Sequence, residues 1–311
     1  MIGLIANETM KISCRKLTWI LLLFLFAVTI GSAILGKINT TDPQDWRGET
    51  TRLVRQYEER LKITELSPTL RADAENKLKI AKHRLENDFP VPSNNPWSAL
   101  LTSSGLIEMV IVFAIILAAD AVAGEYTTGT MKLLLIRPHS RTKILFSKYI
   151  AVSLVAVVML VLLVACGYAA NALLYGLGSI RTTDLFLNRQ GQVVEQSVWL
   201  QVIKMYGLSI FPVMGYVTLA FAVSTVLRNS ALALGISLFL MIVGNSMIEA
   251  TARIEWLKYL PFANSDISLY IFQLPARPEM TLNFSIAVLI GYIFALTLLS
   301  WIVFKKRDVS I

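Results

Sequence analysis

Histidine and cysteine are nearly absent from this chain of 311 residues: two of each occur, His83 and His139, Cys14 and Cys166. Two distant histidines supply neither a zinc-protease motif nor a histidine cluster for a metal. One cysteine precedes the first apolar run and the other lies inside the third, so their different depths exclude the staple of a secreted domain. Charge is scarce too. Asp, Glu, Lys and Arg make up 16% of the residues and hydrophobic types 55%, above the apolar share of about 45 to 50% usual in a soluble domain. A phosphate-cradling loop is also missing. Gly31, Gly36 and Lys37 have its spacing, but Ile38 stands where a Ser or Thr must hold magnesium. Ser13 to Lys16 and Ser140 to Lys143 fit a Ser-x-x-Lys pattern, a match common by chance. No internal repeat suggests an inverted-repeat carrier. Catalysis by this chain has no visible machinery.

Long apolar runs are what the chain does have. Six windows, roughly 17 to 36, 99 to 121, 144 to 175, 199 to 227, 230 to 248 and 283 to 304, reach the ~20 predominantly apolar residues that a membrane helix needs. With a mean hydropathy of +0.60, the sequence reads as an all-α membrane protein with six transmembrane helices. The basic stretch before the first run superficially resembles a cleavable leader, but the length of the run favours a span.

Lys and Arg in short flanking segments set the orientation. Lys11, Arg15, Lys16, Lys132, Arg137, Arg141, Lys143, Lys148, Arg228 and Lys305 to Arg307 fall on one side, in company with Glu8, Asp120, Glu125 and Asp308. Charges elsewhere cancel, so the formal net charge of +8 lies wholly on that side. Both termini are therefore predicted to be cytoplasmic, in the bacterial cytoplasmic membrane. The basic balance reports topology and attraction to membrane lipids, not nucleic acid.

Three regions follow: residues 1–36, an N-terminal amphipathic helix and the first span; 37–98, an extracellular helical hairpin; and 99–311, spans two to six. In residues 2 to 16, Ile2, Leu4, Ile5, Met10 and Ile12 fall on one face and Asn7, Glu8, Lys11 and Arg15 on the other, as in a helix lying in the inner interface. In the insert, Asp42-Pro43 and Ser67-Pro68 read as helix starts. Leu53, Val54, Tyr57 and Leu61, then Leu70, Ala74, Leu78, Ala81 and Leu85, recur at helical spacing, and Glu58 with Lys62, Asp73 with Lys77 and Glu75 with Lys79 form i,i+4 pairs. Residues 176 to 198 read as a short polar loop. Residues 249 to 282 are half apolar but broken by Pro261, Pro275 and Pro278, which suits a re-entrant or interfacial hairpin. Pro212, between Gly207 and Gly215, predicts a kink in the fourth span.

Between the second and third runs stands Glu125-Tyr-Thr-Thr-Gly129-Thr130, followed by Met-Lys-Leu-Leu-Leu-Ile-Arg137-Pro138-His-Ser140-Arg141-Thr-Lys143. Gly124 and Gly129 permit a bend there, Thr130 to Ile136 suit a short helix, and Pro138 stops it. This stretch resembles the signature after the second span of ABC-2 type transporter permeases. The match is close over about 25 residues and weaker, through span order and the broken segment before the last span, over the whole chain. The resemblance implies an ABC-2 (type V exporter-like) fold. It also implies a permease subunit that moves an amphipathic peptide, drug or lipid-like substrate and pairs with a second permease, identical or homologous. A cytoplasmic ABC ATPase dimer would sit below and carry ATP and Mg, with no cofactor bound by this chain. ATP-driven closure would enter through a coupling helix at about 124–141, and Glu125, Gly129, Thr130, Arg137, Pro138 and Arg141 are the ATPase-coupling candidates. Spans two and five would line the path.

Two further residues draw attention because a charge inside the bilayer costs about 2.5 to 3.5 kcal/mol on insertion scales. Glu108 lies in the second apolar run and Lys204 near the outer start of the fourth. They read as a possible translocation pathway, facing a cavity or pairing with one another, or as ordinary helix contacts. Two other classes stay open: a non-transporting scaffold or immunity-type protein that binds a partner through its extracellular hairpin, and an ion-driven carrier.

Overall fold

A computed structural model of the chain describes residues 1–38, 45–63, 66, 68–92, 95–130, 139–188, 190–251, 254–272, 275, 277 and 279–306. Its helices are α1 (Ile2–Ser13), α2 (Lys16–Ile38), α3 (Trp46–Leu61), α4 (Pro68–Glu86), α5 (Pro96–Thr102), α6 (Leu106–Thr127) and α7 (Arg141–Tyr175). Strands β1 (Thr183–Leu187) and β2 (Val193–Ser197) follow, then α8 (Val198–Leu208), α9 (Ile210–Leu227), α10 (Ser230–Thr251), α11 (Ser268–Ile271) and α12 (Leu282–Lys306). Among the described residues five stretches are long and apolar enough to cross a membrane: α2, α5 with α6, α7, α8 with α9, and α12. A shorter apolar helix, Ser230–Gly244, falls in the predicted fifth window. The chain is a mostly helical, multi-pass membrane protein.

α6 is the axis of the bundle. Val110, Ala114, Ala118 and Val122 on it are fully buried, as are Val213, Val217 and Ala220 on α9. Small side chains let two backbones approach closely, and in lipid that packing replaces the hydrophobic drive that water would supply. By contrast α2 and α12 show Trp19, Leu23, Phe24, Phe294 and Leu298 on the outside, as lipid-facing helices do.

Two of the predicted spans are interrupted. Pro212 has no N–H to give Leu208, and the helix divides at Ser209, whose hydroxyl donates to the Met205 carbonyl at 2.6 Å. The second span divides at a single 3-10 turn, Ser103–Gly105, where the Ser103 hydroxyl donates to the carbonyls of Ala99 and Leu100. Pro212 predicts a kink in the fourth span, and the structure breaks the helix there outright; in the second span a continuous helix was expected.

Contacts define two ends. At the basal end Arg15 pairs with Asp120, the Ser230 hydroxyl donates to Asp120 at 2.9 Å, and the Trp301 indole donates to Thr142 at 3.1 Å. This gathers α1, the end of α6, the starts of α7 and α10, and the end of α12. At the distal end Asn95 donates to Thr182 at 2.6 Å, Tyr206 to the Leu100 carbonyl at 3.0 Å, and Ser285 to Asn264 at 2.5 Å.

The insert caps the distal end as the predicted pair of antiparallel helices, with one boundary moved. Asp45, not Asp42, caps α3 by accepting the Gly48 N–H at 3.1 Å; Asp42, Pro43 and Ser67 lie outside the described residues. The expected polar loop at 176–198 is instead a β-hairpin, a departure from an all-α chain. Thr183 pairs with Ser197 and Leu187 with Val193, while Leu185, Phe186 and Leu187 are buried. The Asn188 side chain accepts the N–H groups of Gln190 and Gln192 and so closes the turn. Residues 254–272 do not form a helical hairpin. They make 3-10 turns at Glu255–Tyr259 and Phe262–Asn264, then the one turn of α11. Gly244 has no side chain because Phe262 lies against it, 2.6 Å from where a Cβ would stand.

Candidate functional site

The basal end holds four charges in a closed ring. Lys11 donates to Glu8 Oε1 at 3.1 Å and to Glu125 Oε1 at 3.0 Å, while Lys148 lies 2.8 Å from Glu8 Oε2 and 2.5 Å from Glu125 Oε1. Each charge therefore has two neighbours of opposite sign, drawn from three helices: α1, α6 and α7. The ring is buried. Lys148 keeps 2% of its side chain exposed, Glu125 8% and Glu8 10%. Taking an ion out of water costs several kcal/mol, which only close opposite charges recover.

Location makes Glu125 the most dependent member. It sits in the last turns of α6, where the helix dipole is negative and disfavours a carboxylate by about 0.3 to 1 kcal/mol. Its Oε1 receives both lysines, and its Oε2 is buried with no hydrogen-bond partner among the described residues. Burial pushes the Glu8 carboxyl up, but Lys148 and Lys11 outweigh that and hold it below the usual carboxylate range. Burial likewise works against the charged Lys11 ammonium, and Glu125 with Glu8 more than compensates and raises it.

A second tier lies one turn further into the bundle. Asp120 takes Arg15 on one oxygen and the Ser230 hydroxyl on the other. Gly124 is needed beside it, since a Cβ there would stand 2.4 Å from Asp120 Oδ1. The Ser224 hydroxyl of α9 reaches into α6, donating to the Ala119 carbonyl at 2.7 Å and accepting the Ala123 N–H at 3.0 Å. It thus bridges an i,i+4 pair of the helix ladder. Arg228, in left-handed conformation at the end of α9, lies 4.5 Å from the Tyr126 ring centre.

Against this frame the coupling candidates separate. Glu125 is an internal tie, not a surface ion pair. Gly129, at φ +72°, ends α6 in the left-handed conformation that favours glycine. Gly124 does not bend the chain, for α6 continues to Thr127. The Thr130 hydroxyl, on the exposed turn beyond, lies 3.0 Å from that of Thr128. Arg141 opens α7 behind Ser140, whose hydroxyl caps the helix by accepting the Lys143 N–H at 3.4 Å. Arg137, Pro138 and most of the expected short helix lie outside the described residues.

Glu108 and Lys204 are not an ion pair. Glu108, in the first turn of α6, lines a cavity of about 150 Å³ with Asp266 and several hydroxyls; Lys204 is exposed on α8 and is not among the residues lining that cavity. Among the described residues no group of three or more His, Cys, Asp or Glu is placed to hold a metal.

Sequence reasoning missed the ring itself. Glu8 was placed on the solvated side of the first helix and turns inward; Lys148 read as an orientation charge and is nearly inaccessible. A signal was present. On a side of the membrane dominated by bases, an acid has no topological duty, and the acids described there, Glu8, Asp120 and Glu125, are all engaged by bases.

The family model described as "Protein of unknown function (DUF2705)" matches residues 82–310. An uncharacterized protein of Bacillus subtilis (strain 168), YhcI, is 31% identical over the whole of both chains. A second from the same strain, described as the uncharacterized membrane protein YdbK, is 31% identical over 63% of this chain and 76% of its own.

Proposed function

The chain belongs to the DUF2705 family, and we propose that it is the membrane-spanning permease subunit of an ATP-driven exporter, working with a separate ABC-type ATPase dimer and a second permease subunit. α10 is the fifth of six spans in this reading, and the basal end, with both termini, faces the cytoplasm. The resemblance of residues 125–143 to the ABC-2 signature motivates it. What carries it is the ring of Glu8, Lys11, Glu125 and Lys148, which ties the N-terminal helix, the end of the second span and the start of the third into one block.

A push delivered between α6 and α7 meets a body that moves as a unit. Without the ring, the push would be absorbed between the helices. Glu125 serves here as a brace behind the docking element, while Thr130, just past the end of α6, and Arg141, the first residue of α7, would meet the ATPase. Substrate would be an amphipathic peptide, drug or lipid-like molecule leaving the cytoplasmic side.

Purification of the tagged chain from its native host tests this directly. The reading expects a P-loop ATPase in the complex whose turnover changes with this subunit, weaker association after Arg141→Ala, and intact association but lost stimulation after Glu125→Gln. A stable complex that contains no ATPase would sink it and favour the scaffold.

A further inference from the structure

Two cavities meet at one wall in the middle of the distal half. The first, about 150 Å³, is lined by Glu108 and Asp266 together with the serines 104, 209 and 268. The second, about 160 Å³, is lined by Leu219, Leu260, Phe262, Leu289 and Leu296 beside Gly215. Pro212, Tyr216 and Ser265 belong to both linings. The partition is thin: the Tyr216 and Ser265 hydroxyls lie 3.4 Å apart, near the limit of a hydrogen bond. Neither volume reaches the ~300 Å³ at which ligand pockets begin, and the two joined do.

Their chemistry is opposed. The first compartment carries two carboxylates and no Lys or Arg in its lining. Asp266 spends one oxygen on the Ser268 N–H and hydroxyl, at 2.9 and 2.5 Å, which orients the group without neutralising it. Glu108 makes no ion pair among the described residues and is exposed to the cavity. Two negative charges sharing one small space are satisfied by a cation. The second compartment presents carbon, with the Tyr216 ring at its entrance and Phe262 6.3 Å from it, centre to centre.

We propose that this double cavity binds an amphipathic organic cation, with its ammonium-like head between Glu108 and Asp266 and its apolar body past Tyr216 against Leu219, Phe262 and Leu289. The proposal names a substrate class for the export reading and rests on it only for the word substrate; binding itself needs no ATPase. A bare metal ion leaves the apolar compartment unused. An anionic amphiphile is repelled at the head. The aromatic rings at the partition add attraction for a soft cation.

Equilibrium binding of labelled octyltrimethylammonium to the full chain in phosphatidylcholine nanodiscs, with empty nanodiscs subtracted, is the test. Saturable binding is expected, displaced by other alkylammonium ions and not by octyl sulfate or octanol. Glu108→Gln with Asp266→Asn weakens it by about tenfold or more, as loss of charge-assisted contacts implies. Gly215→Val fills the apolar compartment from a position where a Cβ meets only Leu289 Cδ2, at 3.6 Å, and unfolding at the native temperature is the control that the fold is kept. It removes the advantage of the octyl chain and leaves tetramethylammonium binding unchanged. The proposal is overturned if the native chain shows no saturable binding, if octyl sulfate or magnesium competes equally well, or if the carboxylate variant binds as before. Because no ATPase is present, failure here leaves the export reading standing, and failure of co-purification leaves this site standing.

Discussion

The two ends of the bundle use the same residue types in opposite ways. At the basal end Glu8, Glu125 and Lys148 are buried and closed into a ring through the more open Lys11, with Lys148 at 2% exposure and Lys11 at 41%. At the distal end most pairs lie in the open: Arg47 with Asp88 at 63% and 64%, Lys82 with Glu58 at 49% and 45%. Burial decides the consequence. An exposed pair is screened by water and salt and adds little, so it guides the insert into place without fixing it. A buried ring is nearly all or nothing, because loss of one member strands the charges beside it. The basal end is accordingly held by a tie whose core is buried, and the distal cap mostly by pairs that stand in water.

The strongest way to break that contrast is Lys148→Met. It leaves Glu8 and Glu125 buried with Lys11 alone between them, and is expected to cost about 3 to 5 kcal/mol, read as the largest fall in unfolding temperature among these variants in mild detergent. Adding Glu8→Gln and Glu125→Gln to that change should return much of the loss, since neutral amides need no counterion. If Lys148→Met unfolds with the native protein, the ring does not brace the block.

Arg84 is the exception that sharpens the comparison. Its side chain, 8% exposed, donates to Asp184 at 2.6 Å and to the Pro90 carbonyl at 2.9 Å, fastening α4 to β1. Arg84→Gln should cost about 1.5 to 3 kcal/mol, the range for hydrogen bonds to a charged group. The loss is local. Hydrogen exchange should rise in β1, β2 and α4 while α6 and α9 stay protected.

How legible each end was in the sequence follows from range. The spans and the paired insert helices rest on periodicity and length, which local sequence carries, and the Asp73 to Lys77 pair at 2.8 Å is an i,i+4 match of the same kind. The ring is not local: Glu8 meets Lys148 across 140 positions, and no spacing rule points there. Spacing pairs Glu58 with Lys62, but Glu58 takes Lys82 from the facing helix, because an antiparallel neighbour competes with a helix's own next turn. The β-hairpin was hidden by Gly176, Gly178 and Gly191, which read as loop although Gly191, at φ +70°, is part of the turn that joins the strands. The division at Ser209 was half visible: Pro212 announced it, but the proline acts on the residue four before it.

Ser224→Ala comes next in size. The hydroxyl makes two hydrogen bonds inside α6, yet without it Ala123 can return its N–H to Ala119 and close the ordinary ladder. A cost of about 0.5 to 1.5 kcal/mol is expected, at the lower end of the range for buried hydrogen bonds. A much larger loss would mean that α6 needs this bridge to hold its shape beside Asp120.

Acid separates the ends less than burial suggests. Glu8 is held below its unfolded value of 4.5, so its contribution is complete above that pH and fades only as pH falls through the lower folded value. Lys11 is raised above 10.5, so its share is complete below that pH and fades as pH climbs past the higher folded value. Between about pH 5 and 10, unfolding of the basal block should therefore show no slope from these two groups. A steep slope near neutrality would mean that one of these groups is buried without its partners, its titration shifted to about pH 7.

The smallest effect belongs to Lys82→Gln. Lys82 holds Glu58 at 2.7 Å and lowers its carboxyl below the usual range, but both groups stand in water, so the lost attraction is replaced by hydration. Thermal unfolding should be indistinguishable from native in physiological salt and identical in 1 M NaCl, where screening has already removed the native pair. The same salt should leave most of the difference between native and Lys148→Met in place, because Lys148 at 2% exposure and Glu125 at 8% are shielded from ions even though Lys11 is open to them. Should 1 M NaCl erase that difference, the basal charges are as open as the distal ones, and the division between a buried tie and an open cap disappears.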